Sequence, residues 1–195
     1  MPFSSVMSLN LGIGLGSAIS IPNPDPPVVN YVARTDGVSQ YWQLSAPIPL
    51  STGDIVSFGM TRFQNNGAFK RFFGSTDFTL SLDTGSDGDK FRLRTVISAT
   101  VNGSEVTSDQ TAIPTTGLNS ISVEVGGTKN IETLLSLGAS NLLQAAIYDF
   151  KVTRDGVIVN EIPLANKAQG ATQIATVGSV NATMINYTPD VWEEV

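Results

Sequence analysis

Three acidic residues close together in one turn are the first candidates for chemistry in this sequence. Asp83, Asp87 and Asp89 belong to the segment "DTGSDGDK", which separates two strand-like stretches. Calcium is bound by loop carboxylates and backbone carbonyl oxygens. The cluster therefore predicts a Ca²⁺ site, although its spacing matches no standard calcium loop. The alternative is a solvated turn whose carboxylates pair with Arg92 and Arg94.

Paired carboxylates also serve glycoside hydrolysis, in which two of them face one cleft about 5–10 Å apart. Asp87 and Asp89 are an i, i+2 pair, but they lie in a loop and not on a strand face. The chain contains no histidine and no cysteine. This composition removes a histidine base, a thiolate nucleophile and Cys/His zinc sites. We therefore expect no enzyme, and a polysaccharide-degrading activity ranks below a structural or binding role.

Aromatic residues offer a second kind of chemistry, the stacking of a sugar ring. Tyr41 and Trp42 are adjacent in "SQYWQL", and exposed aromatic side chains are typical of such sites. They predict a glycan-binding platform. Core or edge packing is the alternative.

The charge balance limits the partners. The formal net charge is −6, with 11 lysines and arginines and no basic run. Binding to nucleic acid needs a clustered basic face, and so does binding to an anionic membrane surface. No segment approaches the roughly 20 apolar residues of a spanning helix. We expect neither nucleic acid nor membrane as a partner.

An unusual segment, "LNLGIGLG", begins at residue 9. Its apolar residues, which alternate with asparagine or glycine, are Leu9, Leu11, Ile13 and Leu15. A phosphate-binding loop would need a helix to follow, but a proline cluster between residues 22 and 27 follows instead. The pattern predicts an extended arm that adds to a sheet edge on another protein. The alternative is the first strand of the domain itself.

The prolines form a stiff spacer, so we divide the chain into an arm over residues 1–27 and a domain over 28–195. Apolar residues recur at every second position through that domain, a period typical of strands with one buried face. The sets are Val56, Phe58 and Met60; Phe78, Leu80 and Leu82; Phe91, Leu93, Thr95 and Ile97; and Ile121, Val123 and Val125.

Residues 147–164 predict a β-hairpin. Tyr148, Phe150 and Val152 alternate, and Asp155-Gly156 is a two-residue turn. The one predicted helix is short, from Ile131 to Leu137. Many short strands with frequent turn signals predict an all-β fold, an antiparallel two-sheet sandwich or jelly roll.

Several segments carry a resemblance to a known group. They are "YWQLSAPIPLSTGDIVSF", "FRLR", "AAIYDFKVTRDGVIVNEIPL" and "NATMINYTPDVWEEV". This series resembles the concanavalin A-like (laminin G-like) jelly rolls of tailed-bacteriophage virion proteins. The likeness covers roughly residues 28–195. The sequence lacks the E-x-D-x-x-E motif of the relatives that hydrolyse polysaccharide.

The resemblance implies a structural virion protein, such as a capsid decoration protein, a head fibre or a tail appendage. Its partners would be other capsid or tail proteins and further copies of itself, with a trimer as one expected homo-oligomer. It would be made in the cytoplasm of the bacterial host and located in the virion. A carbohydrate-binding module that attaches the particle to host glycans is the alternative function.

Overall fold

The computed structural model describes residues 30–74 and 80–195, which form an almost entirely β-stranded fold. The strands are β1 (Tyr31–Ala33), β2 (Tyr41–Leu50), β3 (Ile55–Gln64), β4 (Arg71–Gly74), β5 (Ser81–Thr84), β6 (Phe91–Arg94), β7 (Val96–Val101), β8 (Ser104–Glu105), β9 (Asn119–Val125), β10 (Lys129–Leu134), β11 (Gln144–Arg154), β12 (Val157–Ile162), β13 (Thr172–Gln173), β14 (Ala182–Ile185) and β15 (Trp192–Glu194). Two single 3₁₀ turns, Lys167–Gln169 and Pro189–Val191, are the helical segments of this part of the chain.

The strands form two large antiparallel sheets and one small ribbon. One sheet has seven strands in the order β13-β14-β2-β10-β4-β5-β6, and the other has six in the order β12-β11-β3-β9-β7-β8. Aromatic side chains join the two sheets: Phe58 on β3 lies 6.3 Å from Phe72 and 6.2 Å from Phe73, both on β4. The prediction of an all-β antiparallel sandwich is therefore confirmed.

The alternating segments predict β3, β9 and the hairpin correctly. Val56, Phe58 and Met60 are buried in β3, and Ile121, Val123 and Val125 are buried in β9. Strands β11 and β12 pair around Asp155-Gly156, where both residues have positive φ, as a type I′ turn requires. Leu80 and Leu82 are buried, whereas Phe78 lies outside the described residues.

The prediction of one strand through "KFRLRTVIS" is wrong. Thr95 has φ 48°, and this left-handed residue ends β6 in the seven-stranded sheet before β7 begins in the six-stranded sheet. Phe91 is buried, but Ile97 is 55% exposed. A period of two does not reveal a crossing between sheets, because the apolar spacing continues through it.

The predicted helix from Ile131 to Leu137 is also wrong. Residues 129–134 form β10, which pairs with β2 on one side and β4 on the other. Ile131 and Thr133 are buried on alternate positions. Pairing along both edges of a strand outweighs the weak local helix preference.

A small ribbon of β1 and β15 joins the first and last described residues. Tyr31 pairs with Glu194, and Ala33 pairs with Trp192. No helix within residues 30–74 and 80–195 has the length and apolar character that crossing a membrane would require.

Candidate functional site

The four residues of the predicted arm, Leu9, Leu11, Ile13 and Leu15, lie outside the described residues. The first residue that the structure describes is Asn30, three positions after the predicted end of that segment. We call residues 30–35 the arm root. Within it Val32 and Ala33 are fully buried, and β1 pairs with β15.

Hydrogen bonds fix the arm root to the sandwich. The N–H of Arg34 donates to the carbonyl of Val191 at 2.9 Å, and the N–H of Thr35 donates to the carbonyl of Ala145 at 3.0 Å. The buried Thr35 hydroxyl donates to the carbonyl of Leu143 at 2.6 Å. The root is therefore attached both to β15 and to the six-stranded sheet through β11.

A polar cleft of about 350 Å³ lies beside the arm root. Arg34, Asp36, Asp190 and Glu193 are among the residues that line it. An ion pair joins the Arg34 guanidinium to Glu193 at 3.5 Å, and Arg62 contacts the same carboxylate at 3.1 Å. Three carboxylates and one guanidinium line the cleft, so its lining carries a net negative charge.

Asp36 folds the loop that follows the root. Burial alone raises the pKa of this carboxyl, but hydrogen bonds from the backbone N–H groups of Ser39, Val38 and Gln40 lower it overall. Each of those bonds favours the ionised form. Asp36 thus has a structural role in closing the turn before β2.

The prediction that Trp42 belongs to a glycan-binding platform is wrong. Its side chain is fully buried in the core, and β2 lies between β14 and β10 inside the seven-stranded sheet. The indole therefore offers no surface to a sugar, and core packing describes this residue. Tyr41 is partly exposed at the start of β2.

The predicted calcium ligands are not brought together. Asp83 is fully buried on β5, where it accepts a hydrogen bond from Arg71 Nε at 2.9 Å and lies 3.5 Å from Arg94 Nε. Asp87 is exposed and pairs with Lys90. Across the described ranges, no three acidic side chains are grouped so that they hold a metal ion. The alternative, a solvated turn whose carboxylates pair with Arg92 and Arg94, holds for Asp83 only in its contact with Arg94, because this carboxylate is buried and pairs most closely with Arg71.

A hollow that the sequence analysis missed lies on the outer face of the six-stranded sheet. We call it the Tyr148 hollow; its volume is about 170 Å³, and it is lined by Ser57, Phe58, Gly59, Ser120, Tyr148, Asp149 and Lys151. The alternation of "IYDFKV" places Tyr148 with the buried Phe150. This prediction is wrong because Asp149 has φ 52° and the register with β3 shifts between Tyr148 and Lys151, which turns Tyr148 outward.

Glycine at position 59 determines how the tyrosine lies. Tyr148 is directly opposite Gly59, and Gly59 is directly opposite Ser120. A Cβ atom at position 59 would overlap Cδ2, Cε2 and Cζ of Tyr148. These are three consecutive atoms of the ring, so one ring face lies over Gly59. The ring therefore lies flat against the backbone of β3 with its other face turned away from the sheet.

Charged residues form one rim of the hollow. Lys151 Nζ lies 2.8 Å from Asp149 Oδ2 and 3.2 Å from Glu161 Oε1. Burial and the Asp149 carboxylate raise the pKa of Tyr148, so its hydroxyl stays protonated at neutral pH. The two carboxylates also raise the pKa of Lys151 against the opposing effect of burial.

Strand β12 carries an apolar surface at the edge of the six-stranded sheet. Val157 is 63% exposed, Ile158 38% and Val159 39%. Exposed apolar residues on an edge strand invite pairing with another chain. We call residues 157–159 the β12 edge.

No protein-family model, curated protein or solved structure matches this chain.

Proposed function

We propose that this chain is a structural virion protein of a tailed bacteriophage, a capsid decoration protein, head fibre or tail appendage. Its domain is a concanavalin A-like jelly roll, and residues 1–27 attach it to another virion protein. The attachment of the arm root to the sandwich is the observation that carries the proposal. The other supports are the alternation of residues 9–16 and the resemblance of the domain.

An attachment arm can fix the position of a domain only if the arm and the domain are firmly joined. The arm root meets this need because Val32, Ala33 and Thr35 are buried and the root is hydrogen-bonded to β15 and β11. The ion pairs of Glu193 with Arg34 and Arg62 brace the same ribbon. A particle that binds residues 1–27 would therefore hold the whole sandwich as well.

The proposed arm binds by strand addition. Its leucines and isoleucine fill pockets on the receiving protein, while the glycines between them allow close backbone approach. The β12 edge supports a second contact, between copies of the domain, because its three apolar side chains are exposed in the single chain. Both contacts suit a homo-oligomer that is bound to a capsid or tail protein.

Deletion of the arm tests the proposal. A tagged chain that begins at residue 28 and the full chain are each expressed during infection by the phage that encodes them, and virions are purified on a density gradient. We expect the tag in virions with the full chain and its loss, by at least tenfold, with the shortened chain.

Substitutions inside the arm separate its chemistry from its length. The combined substitutions Leu9→Ser, Leu11→Ser, Ile13→Ser and Leu15→Ser should abolish incorporation, whereas Asn10→Ser with Ser17→Ala should leave it unchanged. Circular dichroism of each purified variant is the control, and it should show that the chain is folded. Equal incorporation of the full and shortened chains, or absence of the full chain from virions, would overturn the proposal.

A further inference from the structure

The Tyr148 hollow combines three features of a ligand site. Tyr148 presents one ring face away from the sheet because Gly59 supports the other face. Ser57 and Ser120 border the ring, and their hydroxyls donate no hydrogen bond to any residue in 30–74 or 80–195. These groups are open to an incoming molecule, whereas the sheet beneath them is closed by the buried Phe58 and Met60.

The chemistry of the hollow suits a small and hydroxyl-rich ring that carries no negative charge. Its 170 Å³ volume is below the roughly 300 Å³ of sites for drug-sized molecules, so one six-membered ring fits and an extended ligand does not. An exposed tyrosine face favours the C–H face of such a ring, and its hydroxyl supplies a polar contact. Serine hydroxyls both donate and accept hydrogen bonds, as sugar hydroxyls do.

The rim argues against an anionic ligand. Lys151 is already paired with Asp149 and Glu161 at 2.8 and 3.2 Å, which leaves one net negative charge on this side. An anionic sugar or a phosphate would meet that charge without a free cation at the hollow. Asp149 retains acceptor capacity for a sugar hydroxyl, because an ionised carboxylate has about four acceptor positions.

We propose that the Tyr148 hollow binds one neutral pyranose residue of a glycan, stacked on Tyr148 and hydrogen-bonded to Ser57, Ser120 and Asp149. The site is on a sheet face and includes neither Tyr41 nor Trp42. It goes beyond the structural role, since it does not depend on the arm: the domain binds sugar at the hollow whether or not residues 1–27 attach it to a particle.

Nuclear magnetic resonance titration of the full chain tests this site. The probes are the methyl glycosides of glucose, galactose, mannose and N-acetylglucosamine, with glucose 6-phosphate as the anionic control. We expect at least one neutral glycoside to shift the amide signals of Gly59, Ser120 and Tyr148, with a dissociation constant on the order of a millimolar. Glucose 6-phosphate should bind more weakly than any glycoside that shifts these signals.

Four variants distinguish a tyrosine platform from general surface contact. Tyr148→Ala should weaken binding at least tenfold, and Tyr148→Phe should stay within threefold because the ring face remains. Gly59→Ala should also weaken binding, since the new methyl group displaces the ring while every side chain of the rim is kept. Tyr41→Ala, a partly exposed tyrosine on the other sheet, is the matched control and should bind like the unchanged chain.

One measurement needs no variant. Nuclear Overhauser contacts between sugar C–H protons and the Tyr148 ring protons are expected in the unchanged chain. Absence of shifts with all four glycosides, equal binding by Tyr148→Ala, or contacts to Tyr41 in place of Tyr148 would overturn the inference. Failure of particle incorporation would not affect it.

Discussion

At the scale of single residues, Asp54 is the clearest case of a polar side chain that holds two elements together. It is 2% exposed, and its carboxylate accepts hydrogen bonds from Arg154 Nε at 2.9 Å and Arg154 Nη2 at 2.7 Å. The Ser51 N–H donates to it at 2.8 Å. The β2–β3 turn is thereby joined to the end of β11, 100 residues away.

Replacing Asp54 should destabilise the domain in a pH-dependent way. The hydrogen bonds from Arg154 are the largest cause that lowers the pKa of Asp54 below its ordinary value of 3.8. A lowered folded-state pKa adds stability that is present above pH 3.8 and is lost as the pH falls through the folded value. We expect Asp54→Asn to cost about 1–3 kcal/mol at pH 7, measured by urea unfolding.

The same comparison at pH 3 should show a smaller difference. This pH lies below the ordinary pKa of 3.8, so the carboxyl of the unfolded chain is then mostly protonated and part of the stabilisation is lost. Asp155→Asn, in the neighbouring exposed turn, is the control and should change stability by less than about 0.5 kcal/mol. A cost for Asp54→Asn that is equal at both pH values would contradict this account.

The buried pair of Arg71 and Asp83 leads to a second prediction. Both side chains are almost fully buried, and their charged groups are 2.9 Å apart. Burial lowers the pKa of Arg71, whereas the ion pair with Asp83 favours its charged form. Asp83→Asn removes that counter-charge and should cost about 3–5 kcal/mol.

The matched variant replaces both partners, as Arg71→Met with Asp83→Leu. It should cost less than Asp83→Asn alone, because the almost fully buried charge of Arg71 is removed together with its partner. The charge of Arg94, which also contacts Asp83, lies on a side chain that is 32% exposed. Thermal and urea unfolding measure both. A larger loss in the double variant would show that the pair itself, and not the unpaired charge, accounts for the effect.

At the scale of elements, the sequence predicts strands well where the chain runs straight and poorly where it bends. The alternation through β3 and β9 identifies their buried faces, and Asp155-Gly156 identifies the β11–β12 turn. Two of the errors occur at residues with positive φ that are not glycine, Thr95 and Asp149. Such residues are uncommon, and their local sequence gives no signal, because neighbouring strands determine the bend.

The Tyr148 hollow could not be predicted for the same reason. Its outward tyrosine depends on the bulge at Asp149, and its flat ring depends on a glycine in β3 nearly 90 positions earlier. Only the pairing of β11 with β3 brings the two together. The prediction of Trp42 as a platform failed because an aromatic pair has the same local appearance in a core and on a surface.

Strand β1 should be required for the stability of the domain, although it has only three residues. Val32 and Ala33 are fully buried, and the arm root makes several hydrogen bonds. A chain that begins at residue 36 should lose at least about 3 kcal/mol relative to one that begins at residue 28. Urea unfolding compares the two, and equal stability would show that the ribbon is dispensable.

At the scale of the whole molecule, composition and alternation are enough to predict an all-β antiparallel sandwich, which the two sheets confirm. They are not enough to predict strand order. The seven-stranded sheet places β2 between β14 and β10, although the paired residues Leu50 and Lys129 are 79 positions apart in the chain. Pairings of this kind depend on the collective packing of both sheets, with aromatic contacts such as Phe72 to Phe91 at 5.7 Å, and not on any one segment.

The pairing of β1 with β15 makes the described domain nearly a closed loop. The N–H of Val195 donates to the carbonyl of Asn30 at 3.3 Å, so residues 30 and 195 are neighbours in space. A covalent link between residues 195 and 30 would therefore be compatible with the fold. A few linking residues would join these two points, and the chain would then open elsewhere, at the exposed Asp155-Gly156 turn, with every strand pair kept. The same nearness would let the whole sandwich be inserted into a single surface loop of another protein.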